Sequence, residues 1–206
     1  MIKQAVYNLS LTRDELKFLA GIKPWAGKKW DNKAKEPTIT AIKDKIRNQL
    51  ESVQKVCSYC GLKLGGTSNG EIEHIAPKAH YRDPEFTFTL KNLTFSCHLC
   101  NGFYKKGTSA IIDTKKRSYS KCTFFIVHPY FDIPDQHFEW TDEEIEILIQ
   151  VRDDSPKGKF SMKMFELDTP IMNELRAQQV RHEQLKAQRS LSIGDQKLID
   201  DAINYK

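Results

Sequence analysis

Two Cys-x-x-Cys pairs, Cys57 with Cys60 and Cys97 with Cys100, are the residues of this chain best placed to do chemistry. Thiolates at that spacing turn both sulfurs toward one ion, and two pairs supply the four ligands of a tetrahedral structural zinc. The 36 residues between the pairs must loop out and return. Inside that loop stand Glu73 and His74, then Asn92, with Asn101 directly after the last cysteine. An imidazole of unperturbed pKa about 6.5 is suited to take a proton from water near neutral pH. A carboxylate and a side-chain amide are hard oxygen donors, the preference of magnesium or manganese. The set therefore suits phosphodiester hydrolysis, which needs an activated water and positive charge beside the non-bridging and leaving oxygens.

The elements that must position these residues can be read from the chain in order. Thr12-Arg13-Asp14-Glu15 has the spacing of a capping box and predicts a short helix to about Gly21. A loop with Trp25, Trp30 and several lysines follows; the tryptophans read as pins holding it to the core, with stacking on bases as the alternative. Ile39, Ile42, Ile46, Leu50 and Val53 recur at helical spacing and deliver the chain to Cys57. Gly61 and Gly65-Gly66 permit tight turns, and residues 71–75 alternate like a strand stopped by Pro77. Adjacent strand residues face opposite ways, so Glu73 and His74 share a site only if the strand twists or ends there; Glu71 is the alternative carboxylate. The second cysteine pair opens a short helix predicted to reach Gly107, with Asn101 and Lys105 four apart on one face.

Downstream, residues 122–127 read as an apolar strand holding a buried Cys122, and Ile145, Ile147, Ile149 and Val151 alternate as a second strand. Residues 155–158 read as a turn, with Phe160, Met162 and Met164 returning as a third strand. Asp168-Thr169-Pro170 starts a polar helix to about Arg189, and a last helix begins near Ser192 to Asp195. The expected fold class is α+β: a basic helical region 1–56, a zinc-clamped core 57–107 and an α+β extension 108–206 of hairpin plus helix. His98 reads as exposed or as a phosphate contact, and His80, His128 and His137 as surface or core residues, the last two with a place near the same cleft left open.

The pattern Cys-x-x-Cys, Glu-His-Ile-x-Pro, Asn-Leu, Cys-x-x-Cys-Asn resembles the HNH nuclease superfamily, whose core is the ββα-metal finger. The resemblance implies His74 as general base and Asn92 as the brace of the loop that orients it. It implies Asn101 and Glu73 as ligands of a catalytic Mg2+ or Mn2+, beside a structural Zn2+ on the four cysteines. Both oxygen ligands depart from the commoner histidine and aspartate. DNA is the implied substrate, cut to 5′-phosphate and 3′-hydroxyl ends, with Lys105 and Lys106 as nucleic-acid contacts. The tail resembles, more weakly, small HNH proteins of Septu and retron anti-phage systems, which work with an ABC-type ATPase partner. The other reading is a non-catalytic zinc module that binds nucleic acid or a protein.

The charge distribution suits an anionic polymer bound on one side, with solvated faces as the commoner reading of such runs. The net charge is +5, residues 1–70 hold 13 Lys+Arg against 6 Asp+Glu, and residues 131–170 reverse this with 4 against 11. No apolar run approaches the ~18 residues of a membrane span, so the cytoplasm, where thiols stay reduced, is the expected compartment.

Overall fold

The computed structural model describes residues 2–65, 69–102, 105–141 and 146–188, with Lys197 and Asp201 beyond them. Helix α1 (Arg13–Gly21) starts as its sequence predicts: the Thr12 hydroxyl accepts the Glu15 N–H at 3.2 Å, and the Glu15 carboxylate accepts the Thr12 N–H at 2.6 Å. The lysine-rich loop contains a short helix, α2 (Gly27–Asp31), and buries Trp30. Gly27 is required there, since a Cβ would stand 2.4 Å from the Lys78 carbonyl oxygen. Helix α3 (Pro37–Val53) has proline in its first turn and a Glu36 cap that accepts the Thr38 and Ile39 N–H groups. Its stripe of Ile39, Ile42, Ile46 and Leu50 is buried, while Val53 is half exposed.

Strand β1 (Glu71–His74) pairs antiparallel with β2 (Leu93–Ser96), setting Glu73 opposite Thr94 and His74 opposite Leu93. Paired residues share a face, so one side of the ribbon carries Glu71, Glu73, Thr94 and Ser96, and the other Ile72, His74, Leu93 and Phe95. The Gln54 side chain closes the outer edge of β2: its amide oxygen accepts the Phe95 N–H at 2.9 Å and its amide N–H donates to the Phe95 oxygen at 2.7 Å. Helix α4 (His98–Asn101) is one turn, ended by an extended Gly102. It does not reach Gly107, so Lys105 stands off the helix rather than one turn beyond Asn101 on its face.

Other differences lie downstream. Residues 122–127 form no strand but a single bridge, Ile112 to Phe124, although Cys122 is buried and its sulfur accepts the Lys116 N–H at 3.3 Å. Strands β3 (Phe138–Trp140) and β4 (Ile149–Val151) pair as a hairpin, but not the expected one, which joined the strand at 145–151 forward to residues 160–164; Ile145 lies outside the described residues. The segment read as turn and third strand is a helix, α5 (Pro156–Phe165). Ser155 caps it through the Gly158 N–H at 3.1 Å, and Gly158, Ser161, Met162 and Phe165 are buried at helical spacing. The alternation of Phe160, Met162 and Met164 was incidental to that longer period. Helix α6 (Pro170–Gln188) follows its start signal, and the helix expected near Ser192 lies outside the described residues.

The ribbon separates two cores. One lies under α1 to α3, with Leu19, Trp30, Ile42, Ile46, Leu50, Phe88, Leu93 and Phe95. The other joins the four cysteines to the C-terminal half through Tyr59, Ile111, Phe124, Phe138 and Phe165, and Tyr59 stacks on Phe165 at 4.2 Å. Burying each such side chain contributes about 1.5–3 kcal/mol, so the extension and the cysteine knuckles stabilise one another. No helix among the described residues is long and apolar enough to cross a membrane.

Candidate functional site

The four cysteine sulfurs lie within 4.8 Å of one another and are buried. Sulfurs held 2.3 Å from a central tetrahedral zinc stand about 3.8 Å apart, and Cys60 and Cys97 are separated by 3.8 Å. The donor set and its spacing fit zinc. Backbone turns build it: Gly61 takes a φ of 74° and donates to the Cys57 oxygen at 3.0 Å, while Cys100 and Asn101 both donate to the Cys97 oxygen. The four thiols hydrogen-bond to one another, which holds Cys97 far below and pushes Cys60 and Cys100 well above the usual thiol range.

Glu73 leaves β1 on the zinc side. Its carboxylate pairs with the ammonium of Lys106, which is 1% exposed, and accepts the Tyr59 hydroxyl at 3.3 Å. Burial pushes the Glu73 carboxyl up, and the Lys106 charge opposes that. The same ammonium donates to the His74 carbonyl oxygen at 2.9 Å, which ties the strand end to the segment after Cys100.

His74 leaves the opposite face and is 5% exposed, with its ring edge-on to Trp30 at 4.7 Å. Its Nε2 lies 3.0 Å from the Thr87 carbonyl oxygen. A carbonyl only accepts, so the proton sits on Nε2 and Nδ1 carries the lone pair. Burial, then the charges of Lys78 and Lys106, press the imidazole pKa down to about 3, so the ring is neutral at pH 7. Asn92 sets Thr87 in place from behind. It is fully buried, accepts the Ala76 N–H at 2.6 Å, and donates to the Ala76 and Phe86 oxygens at 3.0 and 3.1 Å.

Asn101, on α4, donates its Nδ2 to Glu71 at 2.7 Å, which leaves Oδ1 as its ligand atom. Glu71 also holds the exposed His98 through Nδ1 at 2.8 Å. One cavity of about 220 Å³ is lined by Glu73, His74 and Asn101, together with Trp30, Lys78 and Lys106. It opens where β1 ends, which is how two adjacent residues of opposite faces reach one space. The expected nucleic-acid contacts sit differently: Lys106 is inside the protein, and Lys105 donates to the Phe165 oxygen at 2.6 Å beside Glu166 at 3.5 Å. A free helix C-terminus attracts an ammonium as a phosphate does.

Sequence reasoning passed over Thr87 and Lys78, and read Trp30 as a core pin without placing it against His74. Thr87 acts through its backbone oxygen, which leaves no trace in residue type; Lys78, directly after Pro77, was legible.

Residues 57–106 match the HNH endonuclease family model. Over 164 residues, 71% of the chain, the sequence is 29% identical to the Septu protein PtuB of Bacillus mycoides (strain KBAB4). That match covers 55% of the relative, so the chain spans about half its length. With its thiolate clamp, two-stranded ribbon and following helical turn, the segment 57–106 is similar to an HNH endonuclease domain.

Proposed function

We propose that the chain is a metal-dependent endonuclease that hydrolyses DNA phosphodiester bonds, with His74 as general base. The observation that carries this reading is the imidazole itself: neutral, anchored at Nε2 by the Thr87 oxygen, and lining a cavity with Nδ1 unengaged among the described residues. Zinc on Cys57, Cys60, Cys97 and Cys100 is structural, because four thiolates leave no open position. Glu73 and Asn101 Oδ1 are the oxygen donors that would hold a divalent cation, magnesium or manganese. Such a cation supplies positive charge to the scissile phosphate. His74 takes the proton of the attacking water at Nδ1, while Asn92 and Thr87 keep the ring from turning. Lys78 lines the cavity with a side chain 29% exposed, and its ammonium is paired with Asp31 at 2.6 Å, a partner that a substrate phosphate would replace. The likeness to Septu PtuB supports a role in anti-phage defence beside an ABC-type ATPase.

One observation favours the second reading, a non-catalytic zinc module that binds nucleic acid or a protein: Lys106 already neutralises Glu73. The experiment uses zinc-loaded protein, supercoiled DNA and magnesium or manganese, alone and with the ATPase partner. His74→Ala is expected to lose about 10²–10⁴-fold in cleavage rate while zinc content and circular dichroism stay unchanged. Equal cleavage by the two proteins removes His74 from the mechanism. DNA binding without cleavage by either, with the partner present, establishes the non-catalytic module.

A further inference from the structure

We propose that a second, larger cleft, on the far side of the segment that anchors His74, binds the phosphate and base of a nucleotide unit. The cleft has a volume of about 880 Å³ and is lined by Lys23, Lys91 and Arg117. Among the described residues no ion pair engages any of the three; Lys91 donates only to the neutral Asn8 side chain at 2.7 Å and the Tyr7 oxygen at 3.4 Å. The lining carboxylate, Glu85, is taken by Lys115 at 2.6 Å, and the same ammonium holds Asp83 at 2.9 Å. The lining therefore holds three cations and one carboxylate already neutralised by Lys115, an excess that suits a phosphate.

The rest of the wall suits a base. Trp25 supplies flat apolar surface, with the buried Phe86 and Tyr119 behind it, and Lys23 already lies 4.6 Å over the Trp25 ring. Ser118 and Ser120, with hydroxyls 3.1 Å apart, add uncharged donors. Cations interleaved with aromatic surface are the pattern that holds nucleotides without regard to sequence. The volume exceeds what an inorganic anion fills and lies in the small-ligand range of about 300–1,000 Å³.

The cleft touches the candidate active site only through its wall. Phe86, Thr89 and Lys91 face the cleft, whereas Thr87 between them holds His74. Trp25 meets Phe88 at 5.7 Å, Phe88 meets Trp30 at 5.6 Å, and Trp30 meets His74 at 4.7 Å. An occupant thus presses on the backbone that orients the imidazole. Occupancy itself does not depend on cleavage by the other site, so the inference stands apart from the proposed nuclease.

The same chemistry has two sources, a free mononucleotide or a single-stranded stretch of nucleic acid. The test titrates full-length, zinc-loaded protein, with no magnesium or manganese added, against AMP and against a short thymidine oligonucleotide. Lys23→Gln/Arg117→Gln is expected to weaken binding of the occupant about tenfold or more, the loss of one or more charge-assisted hydrogen bonds. The charge-matched control Lys3→Gln/Lys17→Gln, at exposed positions, is expected to bind like wild type. Cleft-dependent binding of AMP identifies a free nucleotide; cleft-dependent binding of the oligonucleotide alone identifies a strand. Absence of binding to wild type, or equal loss in the cleft and control variants, overturns the proposal.

Discussion

Two buried histidines, His74 and His128, differ in one respect that bears on the role proposed for His74. Burial comes first among the causes that press both to a pKa of about 3. His128 is fully enclosed: its Nδ1 accepts the Tyr130 N–H at 3.1 Å, and its Nε2 meets the Tyr119 hydroxyl at 2.9 Å. Its ring lies stacked on Phe131 at 4.3 Å and tilted against Phe124 at 4.3 Å. Both nitrogens are spent on holding the C-terminal core together. His74 spends one and keeps the other beside a polar cavity. Under the proposed reading, it is the count of engaged ring nitrogens and not burial that sets the two apart.

The comparison breaks outright if zinc is stripped. The thiolates share one core with Tyr119, Phe124 and Tyr130 around His128, and they flank the ribbon that carries His74. Structural zinc contributes about 10–16 kcal/mol in small zinc-dependent folds, so chelation is expected to abolish cooperative unfolding and near-ultraviolet dichroism from both regions together. Retained dichroism after zinc release would show a fold independent of the clamp.

Asn92→Ala sharpens the comparison by disturbing one histidine alone. It strands the Ala76 N–H and the Ala76 and Phe86 carbonyls, at a cost of about 3 kcal/mol, read as a lower urea midpoint. DNA cleavage is expected to fall with it, because the Thr87 anchor of His74 loosens.

The smallest effect comes from pH. The native His128 pKa of about 3 lies below the unfolded value, so the unfolded chain binds more protons between the two. Stability from keeping His128 neutral is complete above pH 6.5 and is lost as pH falls toward 3. At pH 5 the loss is about 2 kcal/mol, measured as a steeper fall in wild type than in His128→Gln between pH 7 and pH 5. Equal slopes would place His128 in contact with solvent.

Much of the site was legible because its residues act through their own functional groups. The paired cysteines, the Thr12 cap and the α3 stripe are all properties of residue type at a given spacing, whereas Asn92 was singled out by the family resemblance alone. What sequence hid acts through backbone or through tertiary choice. The Thr87 oxygen is common to every residue. Lys106 looks like a surface charge until Glu73 is known to face inward beside it. In α5, Ser155 and Pro156 start a helix as readily as they close a turn, and only the burial of Met162 and Phe165 decides between the periods.

A two-stranded ribbon ordinarily leaves outward rows of amides that invite further strands. Here the single carboxamide of Gln54 occupies both backbone groups of Phe95, standing in for a residue of a third strand. That side of the sheet is sealed from within the fold, so neither a second copy nor a stray peptide finds a place at Phe95 to extend it.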